Sequence, residues 1–165
     1  MVLPSMRVPS TIGGAALEPT TILKLIHILA ALTAVGANLT YTFWIRRAGT
    51  DRDRLVWTIE GVRRLDNTIA TPAYVVVLIT GVLMVLGGLF SFETGWIMAA
   101  IGLYVAVVIV AIALYAPALR RQLAEAEADP TSAAYRAAAS RSNLYGIATL
   151  LAVLAIVFLM VAKPF

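Results

Sequence analysis

Four nearly unbroken apolar stretches, at about residues 22–45, 68–90, 96–116 and 144–162, alternate with polar segments along the chain. A helix crossing the hydrocarbon core of a bilayer needs roughly 20 residues at about 1.5 Å each, and each stretch is about that long. No segment shows the every-second-residue alternation of a lipid-facing strand. In lipid the backbone must be satisfied within a helix or a closed barrel. The pattern predicts an all-α fold, a four-helix transmembrane bundle. The flanks agree: Tyr41 and Trp44 mark an interface, Arg46-Arg47 follow the first stretch, Pro117 and Arg120-Arg121 end the third, and Lys163-Pro164 close the fourth.

The polar segments give the bundle a direction. Arg46, Arg47, Arg52, Arg54, Arg63 and Arg64 lie between the first two stretches, and Arg120, Arg121, Arg136 and Arg141 between the last two. The short connection around Glu93 carries no Lys or Arg. Basic loops stay in the cytoplasm, so an N-out/C-out orientation in a bacterial-type inner (cytoplasmic) membrane is expected. Residues 1–20, with three prolines and a Gly13-Gly14 pair, read as a flexible N-terminal arm without the apolar core of a signal peptide. Residues 21–165 read as one membrane domain. Pro19 sits where a helix would start, with Thr20 or Thr21 as its cap. Between the third and fourth spans, the Ala-, Glu- and Arg-rich segment around Asp129-Pro130 predicts a helical cytoplasmic connection, with Asp129 as cap and Pro130 as first helical residue.

Composition sharpens this picture. Charged residues make up 13% of the 165, against roughly a quarter in soluble domains, so four spans leave no room for a large extramembrane domain. The pI near 9.8 reflects basic loops rather than nucleic-acid binding, and the bilayer is the expected partner. The absence of cysteine removes disulfides, iron–sulfur clusters and thiolate metal sites.

Candidate chemistry then rests on polar residues inside the spans. At 100° per residue, His27, Ala30, Ala31, Ala34, Asn38 and Tyr41 share one face of the first span, while Leu25, Ile28, Leu29, Leu32, Val35, Leu39 and Phe43 lie opposite. Small and polar residues on one side predict a helix packed on the His27 face with lipid behind it. Ala30, Ala34, Asn38, Tyr41, Gly81 and Gly88 are the expected packing surface. His27, the only histidine, lies about one turn inside the outer membrane boundary; its buried imidazole can hydrogen-bond to a neighbouring hydroxyl, carry a proton, or serve as the candidate ligand for a metal or haem iron. If His27 ligates, a second ligand would come from a methionine at similar depth (Met84, Met98 or Met160), with Met84 the candidate, or from His27 of a second chain in a homodimer. One imidazole with thioethers also suits copper. Asp66 is expected to pair with Arg63, Arg46 or Arg47. Tyr104 and Tyr115, eleven residues apart, share a face of the third span. There is no P-loop, HExxH or G-x-S-x-G motif, so no catalytic residue is assigned.

The run Leu23-Lys24-Leu25-Ile26-His27-Ile28-Leu29-Ala30, with Gly36 and Arg46-Arg47, resembles the opening helix of a superfamily of small four-helix membrane proteins. That group includes a predicted integral membrane family of unknown function, the copper-resistance protein CopD and the HemJ type of protoporphyrinogen oxidase. Pro72, Thr80-Gly81, Trp96 and Tyr104 resemble the uncharacterised family in particular. The resemblance implies that His27 matches a histidine thought to ligate haem in the HemJ branch. The lysine HemJ uses near its third span has no counterpart here. Three functions are therefore expected, in order. The first is a non-catalytic accessory subunit of a membrane assembly, docked to other subunits. The second is a haem b-binding redox protein using His27, and the third is copper handling.

Overall fold

The computed structural model describes residues 18–164, so the expected N-terminal arm, apart from its last few residues, lies outside the described residues. Four helices are long and apolar enough to cross a membrane, and among the described residues there is no strand. α1 runs Pro19–Ala48. The second rod is α2 (Arg52–Leu65) and α3 (Thr71–Leu86), joined by a wide π turn over Asp66–Ala70. The third is α4 (Gly95–Val110) and α5 (Ala116–Ala128), joined by a π turn over Ala111–Tyr115. α6 is the fourth, Ala133–Ala162. Their outward side chains are those of a lipid-facing surface: Leu32 is 64% exposed, Leu86 70% and Val161 79%.

Pro117, expected to end a helix, and Pro72 each sit inside a continuous one. Proline cannot donate to the carbonyl four residues back, and its ring collides with that carbonyl. For Pro72 and Pro117 those carbonyls belong to Thr68 and Ala113, each inside a π turn. The wider turn carries the obstructing carbonyl aside, and the rod continues. The middle rods therefore span 35 and 34 residues, or about 50 Å at helical rise. That exceeds the roughly 30 Å hydrocarbon core. Their surplus forms a headpiece at the end of the bundle rich in arginine, called the basic end below. Leu55 and Ile59 are fully buried there with Val62, against Leu119, Leu123 and Ala126 of α5 and Tyr41 and Ala48 of α1. Arg52 Nε donates to Glu127 O at 2.6 Å and ties the first corner to the end of α5.

The helix ends differ from expectation in detail. Glu18 precedes α1 without a side-chain cap and Pro19 occupies its first turn, so neither Thr20 nor Thr21 caps it. At the second corner Ser132, not Asp129, is the cap, its Oγ accepting from Tyr135 N at 3.0 Å. Asp129 instead accepts from the Thr131 N–H at 2.8 Å and the Thr131 hydroxyl at 2.7 Å. Pro130 lies in the turn before the helix. Asp66 is not ion-paired among the described residues; its Oδ1 accepts from the Tyr41 hydroxyl at 3.4 Å.

The rods associate as two pairs. α1 packs along α3, and α6 packs along α4 and α5. The pairs join at the basic end through α2 against α5, while no Cα atoms of α3 and α4 approach within 8 Å. At the other end, the terminal end, the pairs stand apart and leave an apolar cavity between them.

Candidate ligand site

The buried residues of α1 are His27, Ala34, Tyr41 and Ala48. Each is seven residues from the next, so two helical turns separate them and they form one narrow seam. Small residues in that seam let α3 approach closely. His27 is 6% exposed and its Nδ1 lies 2.8 Å from Thr80 Oγ1 on α3. The Thr80 hydroxyl already donates its single proton to Val76 O at 2.6 Å. It can therefore only accept from the imidazole. That assignment of the hydroxyl proton puts the imidazole proton on Nδ1 and leaves Nε2 as an unprotonated lone pair.

Nε2 is the one fully buried side-chain polar atom among the described residues that lacks a hydrogen-bond partner. Leaving a buried polar atom unsatisfied costs about 1–3 kcal/mol, and such atoms call for a specific explanation. His27 lines the apolar cavity between the pairs, together with Gly81 and Met84 of α3, Trp96, Ile97 and Tyr104 of α4, and Ile156 and Met160 of α6. Gly81 makes room for the ring: a Cβ there would stand 3.4 Å from His27 Cε1. The terminal end is closed by Phe90 and Trp96, edge to face at 5.4 Å, with Lys163 Nζ 5.3 Å from the Phe90 ring centre. At the inner end the Tyr104 hydroxyl donates to Tyr74 O at 2.9 Å, and Asn38 Nδ2 donates to the Tyr74 hydroxyl at 2.7 Å.

The cavity volume is about 130 Å³. A dry cavity of similar size, about 150 Å³, admits benzene or xenon, whereas sites for drug-sized ligands run about 300–1,000 Å³. An ion or a small apolar molecule suits it; a macrocycle does not.

Of the methionines expected at this depth, Met84 is buried and Met160 half-buried on the cavity wall, while Met98 is 55% exposed and does not line the cavity. No three His, Cys, Asp or Glu side chains among the described residues gather as a metal site; beside His27, the soft donors on the cavity wall are the thioethers of Met84 and Met160. Of the expected packing surface, Ala34 and Tyr41 are buried, and Ala30, Asn38 and Gly81 half-buried, against the chain's own helices. Gly88 does not belong to that surface. It is exposed in the turn after α3 at φ +76, with nothing within 4 Å of a Cβ placed on it. The sequence reading did not identify Thr80 as the partner of His27, and no spacing along the chain encodes that contact between helices. It also missed the buried Gln122–Ser142 hydrogen bond between α5 and α6, although a glutamine among alanines was a visible signal.

A family model described as "Predicted integral membrane protein (DUF2269)" matches residues 21–164, and the chain belongs to that family. No curated protein and no solved structure matches it.

Proposed function

We propose that this member of the DUF2269 family holds one soft metal ion, monovalent copper, between its two helix pairs, bound by His27 Nε2 with the sulfurs of Met84 and Met160. The observation that carries the reading is the orphaned Nε2, held as a free lone pair by the Thr80 hydroxyl, on a side chain that lines the same cavity as the two thioethers. A ligating histidine has its other ring nitrogen fixed by such a hydrogen bond, which sets the tautomer and orients the ring. Imidazole with thioethers in an apolar surrounding is a donor set selective for Cu(I) over harder divalent ions. Flexible methionine side chains can close on an ion without moving a helix.

The alternatives find less support. A haem b on His27 would need a cavity several times larger than about 130 Å³, so the residues present do not fit the macrocycle and no step is derived through it. A ligand shared between two copies of His27 is disfavoured by its burial inside one chain. An accessory role resting on the small-residue face of α1 lacks a free surface, because α3 of the same chain covers that face. The arginines of the two corners support a cytoplasmic basic end in a bacterial-type inner membrane, with both termini outside. The ion would then sit in the outer half of the bilayer, suited to copper handling at the outer face.

The test is titration of the purified protein with Cu(I) under reducing conditions against a chromogenic chelator. One ion per chain is expected, lost in His27→Ala and weakened at least tenfold in Met84→Leu. A preparation that does not compete for copper, or that carries a Soret band abolished by His27→Ala, overturns the reading.

A further inference from the structure

A second cavity, of about 500 Å³, lies on the other side of α1 toward the basic end, walled by α1, α5 and α6. It shares no residue with the copper site except through the helices themselves, so either reading can fail alone. Its lining changes character along the bundle axis. Toward the bilayer middle it is Leu39, Ile147 and Leu150, with Asn38 beside them already donating to Ala34 O and the Tyr74 hydroxyl; toward the basic end it is Arg46, Ser140 and Asn143. Leu39 to Arg46 on α1 and Leu150 to Asn143 on α6 are each seven residues, or about 10 Å of helix. The two antiparallel helices thus grade from apolar to polar in the same direction over the same length.

The polar end is built for an anion. No carboxylate lines the cavity. Among the described residues the ion pairs are Arg52–Asp53 and Arg121–Glu125, and neither involves Arg46. The Ser140 hydroxyl and the Asn143 amide nitrogen donate to no other described residue; Asn143 uses only its Oδ1, facing Thr42 Oγ1 at 3.4 Å. Gln122 and Ser142, deeper in the wall, are hydrogen-bonded to one another and hold that wall in place. One unpaired guanidinium and two free neutral donors, at the depth where lipid phosphates meet a cluster of arginines, match a phosphate oxyanion. The apolar end matches an acyl chain, and the volume lies within the range of ligand sites.

We propose that this cavity binds one anionic phospholipid of the leaflet at the basic end, its phosphate on Arg46, Ser140 and Asn143 and the start of one acyl chain along Leu39, Ile147 and Leu150. The lipid fills the groove between α1 and α6, which touch each other less than either touches its own partner, and so joins the two pairs.

Native mass spectrometry and thermal unfolding in mild detergent test this with phosphatidylglycerol, phosphatidylcholine of the same chains, and inorganic phosphate as separate probes. One phosphatidylglycerol per chain is expected, with a larger upward shift in Tm than phosphatidylcholine gives and no shift from inorganic phosphate. Arg46→Ala and Asn143→Ala each weaken phosphatidylglycerol binding about tenfold. Arg47→Ala, which removes the neighbouring charge outside the cavity, stays within twofold. The lipid-free Tm of each variant checks its fold. Equal affinity for both lipids, or equal losses in Arg46→Ala and Arg47→Ala, means diffuse attraction to the basic end and overturns the site. A shift produced by inorganic phosphate alone assigns the anion to solution and overturns the lipid.

Discussion

Replacing Thr80 with valine tests the link between α3 and the proposed ligand without changing side-chain shape. The threonine hydroxyl accepts the Nδ1 proton of His27 at 2.8 Å and donates to Val76 O at 2.6 Å. Valine removes the one well-aligned acceptor of the buried Nδ1–H and leaves it only the neighbouring Val77 carbonyl. Val76 O keeps its place in the helix ladder, so the loss centres on the imidazole. A buried unsatisfied donor costs about 1–3 kcal/mol, while side-chain hydrogen bonds between membrane helices average about 0.6 kcal/mol because the unfolded chain finds other partners. The expected destabilisation is therefore about 1 kcal/mol, a five- to tenfold change in the folding equilibrium. The effect on copper is larger. An imidazole freed from Thr80 can turn or change tautomer, and losing such an outer partner typically costs about 10–100-fold in metal affinity. Thr80→Ser keeps the hydroxyl and stays within about threefold of the native protein, because only the methyl group is lost. Chelator competition measures the affinity and denaturant unfolding in detergent the stability. Native copper affinity in Thr80→Val would refute the tautomer argument outright.

Further outcomes follow from other parts of the fold. Gly81→Leu extends atoms beyond a Cβ already 3.4 Å from His27 Cε1, so it displaces the ring and removes copper binding in the same titration. Gly88→Ala meets no atom but forces alanine to φ +76, costing about 1 kcal/mol in denaturant unfolding and leaving copper affinity unchanged. Leu55→Ala opens a cavity in the headpiece and costs about 2–5 kcal/mol, whereas Trp57→Ala, at a residue 75% exposed, stays within about 0.5 kcal/mol; urea titration separates them. The Thr131 hydroxyl and N–H hold the Asp129 carboxyl below its ordinary value. The folded-state pKa is thus the lower one, and the turn that Asp129 holds with Thr131 is complete above the unfolded carboxylate value and fades as pH falls through the folded one. Thr131→Val raises the Asp129 pKa toward the ordinary carboxylate value in a carbon-detected NMR titration.

The reach of the sequence differs from element to element. The buried seam of α1 was visible because small and polar residues recur every seven positions while leucines and isoleucines occupy the other side. The continuity of the middle rods was not. Proline normally ends or kinks a helix, and the π turns that relieve Pro72 and Pro117 have no sequence signature of their own. The headpiece left a signal that was passed over: Leu55, Ile59 and Val62, and likewise Leu119, Leu123 and Ala126, follow the i, i+4, i+7 spacing of facing helices. For the ligand site, depth along the membrane could be counted from the spans, and it put Met84, Met98 and Met160 level with His27. Azimuth could not be counted, because it depends on how the pairs pack, and that is what turns Met98 away. The pairing of His27 with Thr80 is likewise a product of helix-on-helix packing.

The most direct test of the account is X-ray absorption at the copper edge on the Cu(I)-loaded protein in detergent. One nitrogen scatterer and two sulfur scatterers are predicted in the native protein, with one sulfur lost in Met84→Leu or Met160→Leu and the site abolished in His27→Ala. A copper shell of nitrogen and oxygen alone, unchanged by either methionine substitution, would contradict it.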